Sequence, residues 1–220
     1  MLIDIFNIFS ELNIHPKGVI HLGAHKGEEL ILYKKLKIKN VLLYEANKKL
    51  INYLKFKSFL FNFLFKMNIK VINKAIYNED SCCRLNITSN TQSSSILNLG
   101  LHKNLYPNIT KKDEKLVDGA TLNSEFKNFY NINDFNVLNM DIQGSELLAL
   151  LGSANIINNL DVIYTEINYD HIYENCALIS EIDDYLMKHG FTRFKTKTIK
   201  DSEGRPMWGD ALYVKKKFIK

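Results

Sequence analysis

The chain has 220 residues, enough for one well-buried α/β domain and short for two, and 46% of them are apolar, the ordinary share of a folded globular protein. Its net charge of +5 is modest, and the lysine runs that carry much of it (Lys34, Lys35, Lys37 and Lys39; Lys215 to Lys217) read as solvated element ends, which makes nucleic acid a minority partner. No run of eighteen apolar residues exists; the nearest, Phe56 to Met67, is broken by Lys57, Ser58, Asn62 and Lys66, so no segment reads as a membrane span.

Asp4 stands where a signal peptide would carry bases, and no small-residue cleavage site follows, so a cytoplasmic chain is expected. Cys82, Cys83 and Cys176 form no metal-ligand spacing and read as free thiols of a reducing compartment.

Apolar residues at helical spacing (Ile5, Ile8, Phe9, Leu12) predict a leading helix within residues 1–15, stopped by His15 to Gly18. A strand at Val19 to Leu22, a helix from Glu28 to about Leu36 and a strand at Val41 to Glu45 then make one right-handed β-α-β unit. The next helix, Lys48 to Phe65, is strongly aromatic, and burial of Phe56, Phe59 and Phe63 against the sheet is the expected use of that face. Val71 to Ile76 reads as the third strand. Periodicity then fails over residues 78–112, a Ser- and Asn-rich stretch expected to be a variable loop or lid, with strand-like pieces only at Arg84 to Ile87 and, beyond it, Lys115 to Asp118. Thr121 or Asn123 caps a helix to about Tyr130, Val137 to Asp141 is the fourth core strand, and a helix runs from Gln143 to Leu151. Val162 to Ile167, a helix from Leu178 to His189, and an antiparallel pair at Thr192 to Ile199 and Trp208 to Val214 close a single domain of 220 residues.

The central signal is Gly18-Val-Ile-His-Leu-Gly-Ala-His-Lys-Gly-Glu-Glu29, a strand, a glycine turn and a helix start. Gly23 suits a backbone conformation closed to other residues, Gly27 permits close approach to the helix, and the first amides of that helix are expected to face a ligand. Glu45, a carboxylate ending the second strand about 20 residues on, stands where a nucleotide-binding unit places its ribose acceptor.

Together, His21-Leu-Gly-Ala-His-Lys-Gly27, Glu45 in Tyr-Glu-Ala-Asn47, and Met140-Asp-Ile-Gln-Gly-Ser-Glu-Leu-Leu148 resemble the FkbM-type family of S-adenosylmethionine-dependent methyltransferases over nearly the whole chain. Glu166, the Asp210-Ala-Leu-Tyr-Val214 strand, the Ser93 to Ile96 segment and Thr121-Leu122 agree with it. His21 replaces the usual acid, His25 an Asn, and Asn123 an Asp.

The resemblance implies an α/β, Rossmann-like class I methyltransferase fold with a mostly parallel sheet, a closing antiparallel pair and helices on both faces. It implies S-adenosyl-L-methionine at His21, Gly23, Ala24, His25, Gly27, Glu45, Ala46, Ala75 and Asp141, with Ala75 and Ile76 against adenine. Asp141 is the first candidate base, with Glu166, His171 and His25 behind it; a divalent cation held by Asp141 with Glu146 or Glu166 is an alternative, and Glu146 reads more simply as a helix-start acid. The implied reaction is O-methylation of a sugar, glycan or natural-product hydroxyl. Residues 78–112 and 168–175 would form the acceptor wall, with Tyr169 and Tyr173 available to stack on a ring. A noncatalytic cofactor-binding module is the second reading and an RNA methyltransferase the third. Oligomeric state is left open.

Overall fold

The computed structural model describes residues 1–219. Helix α1 (Ile5–Glu11) is started by Asp4, whose carboxylate accepts from the Phe6 N–H. There follow β1 (Gly18–Leu22), α2 (Leu30–Lys35), β2 (Asn40–Tyr44), α3 (Lys48–Phe65), β3 (Asn68–Ile72), β4 (Ala75–Ile76), β5 (Cys83–Thr88), α4 (His102–Leu105), β6 (Lys111–Val117), β7 (Gly119–Ala120) and α5 (Leu122–Asn128). The chain then resumes its β-α rhythm with β8 (Val137–Met140), α6 (Glu146–Leu151), β9 (Val162–Asn168), α7 (Ile179–Lys188) and the final pair β10 (Phe191–Lys200) and β11 (Pro206–Lys215).

Seven strands form the main sheet in the order β10-β11-β9-β8-β1-β2-β3. All neighbours in the β9-to-β3 part are parallel, and β11 runs antiparallel to both β9 and β10. Alternate residues of each strand feed two cores, as the two-residue period requires. Ile20, Leu22, Leu138 and Ile163 face Leu122, Leu150 and Leu186 on one side. Val19, Leu43, Val137 and Val162 face Ile8, Leu30 and Leu54 on the other. Helices therefore cover both faces, and the order reverses between β1 and β8, where an open α/β sheet leaves a crevice at its carboxyl edge.

Four local expectations are corrected. The stretch Val71 to Ile76 is not one strand: β3 ends at Ile72, and β4 leaves the main sheet to pair with β7. Asn73 turns the chain there, its amide donating to the carbonyls of Glu45 (2.8 Å) and Ala46 (3.1 Å). On α3, Phe56, Phe59 and Phe63 do share a face, but it points outward, with exposures of 62%, 62% and 75%. The buried side is Ile51, Leu54 and Ser58; two apolar stripes compete on this helix, and only the sheet's position selects between them.

Residues 78–112 hold more structure than the strand-like piece expected at Arg84 to Ile87, which is β5. β5 pairs antiparallel with β6, Asn86 bridges Ser95, and α4 lies within the excursion. Helix α6 starts at Glu146 and not at Gln143, because Gln143 (φ 56°) and Gly144 (φ 97°) take left-handed conformations that end the strand in a tight turn. Thr121 caps α5 by accepting from the Ser124 N–H, while the Asn123 amide oxygen accepts from the Asn155 N–H.

Candidate active site

At the end of β1, Gly23 (φ 78°) turns the chain so tightly that a side chain there would run into the Asp141 carbonyl. The turn consumes its own donors. Gly23 and Ala24 both donate to the Tyr44 carbonyl at 3.0 Å, Gly27 donates to Ala24 at 2.7 Å, and Lys26 donates to Glu28 at 3.1 Å. Strand pairing and turn closure thus satisfy the Gly23, Ala24, Lys26 and Gly27 amides. Ala24 is fully buried, and the space over Gly27 is filled by Leu54 and Leu30, so both residues shape the turn from behind.

What faces the crevice is side chains. Its inner lobe is lined by Gly23, Glu45, Ala46, Ala75 and Ile76, and by Ser95 and Ile96 from the 78–112 excursion. Glu45 is 8% exposed, and its carboxylate accepts from the His25 N–H (2.8 Å) and the Asn47 N–H (2.6 Å). Each oxygen keeps a second lone pair. Burial raises the Glu45 carboxyl above its ordinary range, and those two N–H groups pull against that shift. His25 (φ 45°) holds Glu28 at 2.8 Å and Thr91 at 2.9 Å through its two ring nitrogens, tying the turn to the excursion.

The outer lobe encloses about 480 Å³ and joins the inner one at Gly23, His25, Gln92, Asp141 and Gln143. Five of its lining residues are acids, Glu28, Glu29, Asp141, Glu166 and Asp210, three are the aromatic residues Tyr106, Tyr173 and Trp208, and no lysine or arginine lines it. The Gln143 amide donates to Asp141 (2.6 Å) and Glu166 (2.8 Å), while its oxygen accepts from the Tyr173 hydroxyl (2.5 Å). One carboxamide therefore holds two acids and a phenol together. Asp141 opens onto the crevice but is otherwise ringed by protein, which raises its carboxyl. Burial, then the neighbouring Asp141, raises Glu166 well above its ordinary carboxylate value. Glu146 is buried behind them and raised to about 7 by that burial; it accepts from the Ile142 and Gly144 N–H groups and so braces the turn.

His21 lines the outer lobe. Its Nδ1 lies 3.1 Å from the Tyr33 hydroxyl, whose oxygen accepts from Asn139 at 2.8 Å. Burial lowers the His21 pKa and keeps the ring neutral.

Two expected residues fall elsewhere. His171 is exposed, and its Nδ1 lies 3.2 Å from the Cys176 carbonyl, outside both lobes. Tyr169 packs against the main core and reaches Thr198 at 2.9 Å, leaving Tyr173 as the ring that faces the crevice. Sequence reading missed Lys74, Gln92, His102, Tyr106 and Trp208, which only folding brings to the crevice. Asp210 had a signal: it is an acid in an apolar strand, and register sets it beside Glu166, a like-charged pairing that costs stability unless a site uses it. Among the described residues no group of three or more His, Cys, Asp or Glu side chains is placed to hold a metal ion.

A seven-stranded sheet with one reversed strand, an acid at the end of its second strand and a crevice at the switch point define a class I, Rossmann-like methyltransferase fold. The FkbM methyltransferase domain matches residues 21–193, and the chain belongs to that family. Its methyl donor is S-adenosyl-L-methionine. Solved structures carry the same fold at low identity. A Streptococcus pneumoniae protein described as a candidate tRNA methyltransferase aligns at 10% identity over 98% of this chain and 71% of its own, with a TM-score of 0.52. The magnesium protoporphyrin IX methyltransferase of Synechocystis, solved with bound S-adenosylmethionine, aligns at 10% identity over 96% and 77%, with a TM-score of 0.51. No curated protein matches the sequence.

Proposed function

We propose that this methyltransferase acts on a hydroxyl of a sugar, glycan or natural-product acceptor. The observation that supports this is the outer lobe: acids and aromatic rings line it and no lysine or arginine does. Carboxylates accept hydrogen bonds from hydroxyl groups and aromatic rings stack on sugar faces, whereas the same lining repels a polyanion such as RNA.

In this reading Glu45 accepts the two ribose hydroxyls, with Ala46, Ala75 and Ile76 beside the base. Gly23, shaped from behind by Ala24 and Gly27, brings the chain close to the methionine end, and His25 orders that turn. His21, which lines the outer lobe beside Gly23, stands where other family members carry an acid. S-adenosylmethionine supplies an activated methyl group on a sulfonium, so the protein's task is alignment and proton removal. Asp141 takes the acceptor's proton, and Glu166, bridged to it by Gln143, hydrogen-bonds the acceptor. Gln143 fixes both at the junction of the lobes. His171 has no part in this arrangement.

The test is methyl transfer from S-adenosylmethionine, followed as S-adenosylhomocysteine release, across neutral glycans, hydroxylated natural products and tRNA. Turnover on the neutral hydroxylated acceptors is expected. Turnover on tRNA alone overturns the proposal.

A further inference from the structure

Helix α3 is apolar on two sides. One stripe is buried on the sheet, and the other, Tyr53, Phe56, Phe59, Leu60, Phe63 and Leu64, lies outside with exposures from 37% to 75%. At 100° per residue these six side chains span roughly 140° of the helix, a continuous face from Tyr53 to Leu64 about 18 Å long. A surface helix with this much apolar area lacks a cover.

The charge around the stripe is of one sign. Between Leu30 and Asn78 the chain carries eleven lysines and a single acid, Glu45, which is buried in the crevice. Lys48, Lys55 and Lys66 follow one border of the stripe, while Lys57 on the other donates to the Lys26 and Gly27 carbonyls. The exposed Lys34 of α2 sits 3.7 Å over the Phe65 ring, which brings the α2 lysines to the end of α3.

We propose that this face docks on an anionic lipid surface, its aromatic and leucine side chains entering the headgroup boundary and its lysines meeting lipid phosphates. Charge complementarity selects this occupant. A second copy of the chain placed face to face brings lysines against lysines with no acid on the segment to pair them. A nucleic acid suits the lysines but not the stripe, in which Leu60 and Leu64 offer no ring to stack on. The Phe59 and Phe63 rings already lie against each other, 6.4 Å apart and 14° from parallel.

The experiment is flotation of the full chain with vesicles of phosphatidylcholine alone and of an equimolar mixture with phosphatidylglycerol. Binding to the anionic vesicles, weakened by salt, is expected. Phe56→Ser combined with Phe63→Ser, and separately Lys55→Glu combined with Lys66→Glu, should each lower partitioning at least tenfold. Both pairs are exposed, so circular dichroism and S-adenosylmethionine affinity should match the parent and show that the fold is intact. Partitioning unchanged in the phenylalanine pair, or no binding to either vesicle, overturns the proposal. So does a dimer, or a complex with RNA, that forms in the parent and is lost in the same phenylalanine variant.

Discussion

Glu45 is held by two backbone N–H groups before any ligand arrives, so its remaining lone pairs are oriented without cost to binding. If it receives the ribose hydroxyls, Glu45→Ala should weaken S-adenosylmethionine binding at least tenfold, about 1.4 kcal/mol, by calorimetry. Unchanged affinity would remove that role. Asp141 differs in kind, because Gln143 bridges it to Glu166 at the junction of the lobes, where the proposed reading puts the acceptor hydroxyl. Asp141→Asn should therefore cut kcat by about 10²-fold or more and leave cofactor affinity within about twofold. Parent-like turnover would make Asp141 a structural turn residue. Glu146 offers a titration test. Its folded value of about 7 lies above the ordinary 4.5, so the folded chain binds this proton more tightly than the unfolded chain does. That contribution is complete below the unfolded value and disappears as pH rises through about 7. Glu146→Gln keeps the acceptor for Ile142 and Gly144 but cannot ionise, so its Tm should gain on the parent between about pH 5 and about pH 8. A difference that stays flat across that window would show that Glu146 does not titrate there.

Among the elements, the 78–112 excursion departs furthest from its sequence reading. Its polar composition suggests a loop that orders only with ligand, but its strand pairs with β6 and its serines latch onto the motif after β8. Ser95 donates to the Gln143 carbonyl at 2.7 Å, and Tyr173 donates to Ser93 at 3.3 Å as well as to Gln143. Ser95→Ala removes one such latch, worth about 1 kcal/mol, and should speed proteolytic cutting near residues 89–110 about fivefold. Cutting at the parent rate would mean that the pairing with β6 alone holds the segment. The β-α-β unit was legible for the opposite reason: Val19 to Leu22 and Val41 to Tyr44 are buried at every position and apolar at all but His21, a pattern that suits a doubly covered parallel strand. The third strand was not, because Asn73 redirects the chain through bonds to carbonyls far away in sequence.

At the level of the whole molecule, two cores share one sheet, and the crevice lies at its carboxyl edge, where its inner lobe takes Leu22, Tyr44 and Ile76 from the first core but not Leu138. A deletion in mid-sheet should therefore lower stability without reaching the site. Leu138→Ala, at a fully buried position, should cost about 2–5 kcal/mol in denaturant unfolding, with S-adenosylmethionine affinity per folded molecule unchanged. A matching loss of affinity would show that core and crevice do not unfold and bind independently.

The sequence by itself determined the β-α order, the glycine turn at Gly23, the strand-end acids Glu45, Asp141 and Glu166, and the family, since each rests on neighbouring residues and fixed spacing. Folding alone selects which α3 stripe is buried, turns the Gly23 and Ala24 amides onto the Tyr44 carbonyl, and leaves His171 outside the crevice. It also brought Asp210, Trp208 and Tyr106 to face Asp141 from distant parts of the chain. The reason is physical: periodicity reports that a face is apolar and an acid is polar, but which partner each meets is set by packing between segments that local spacing does not relate.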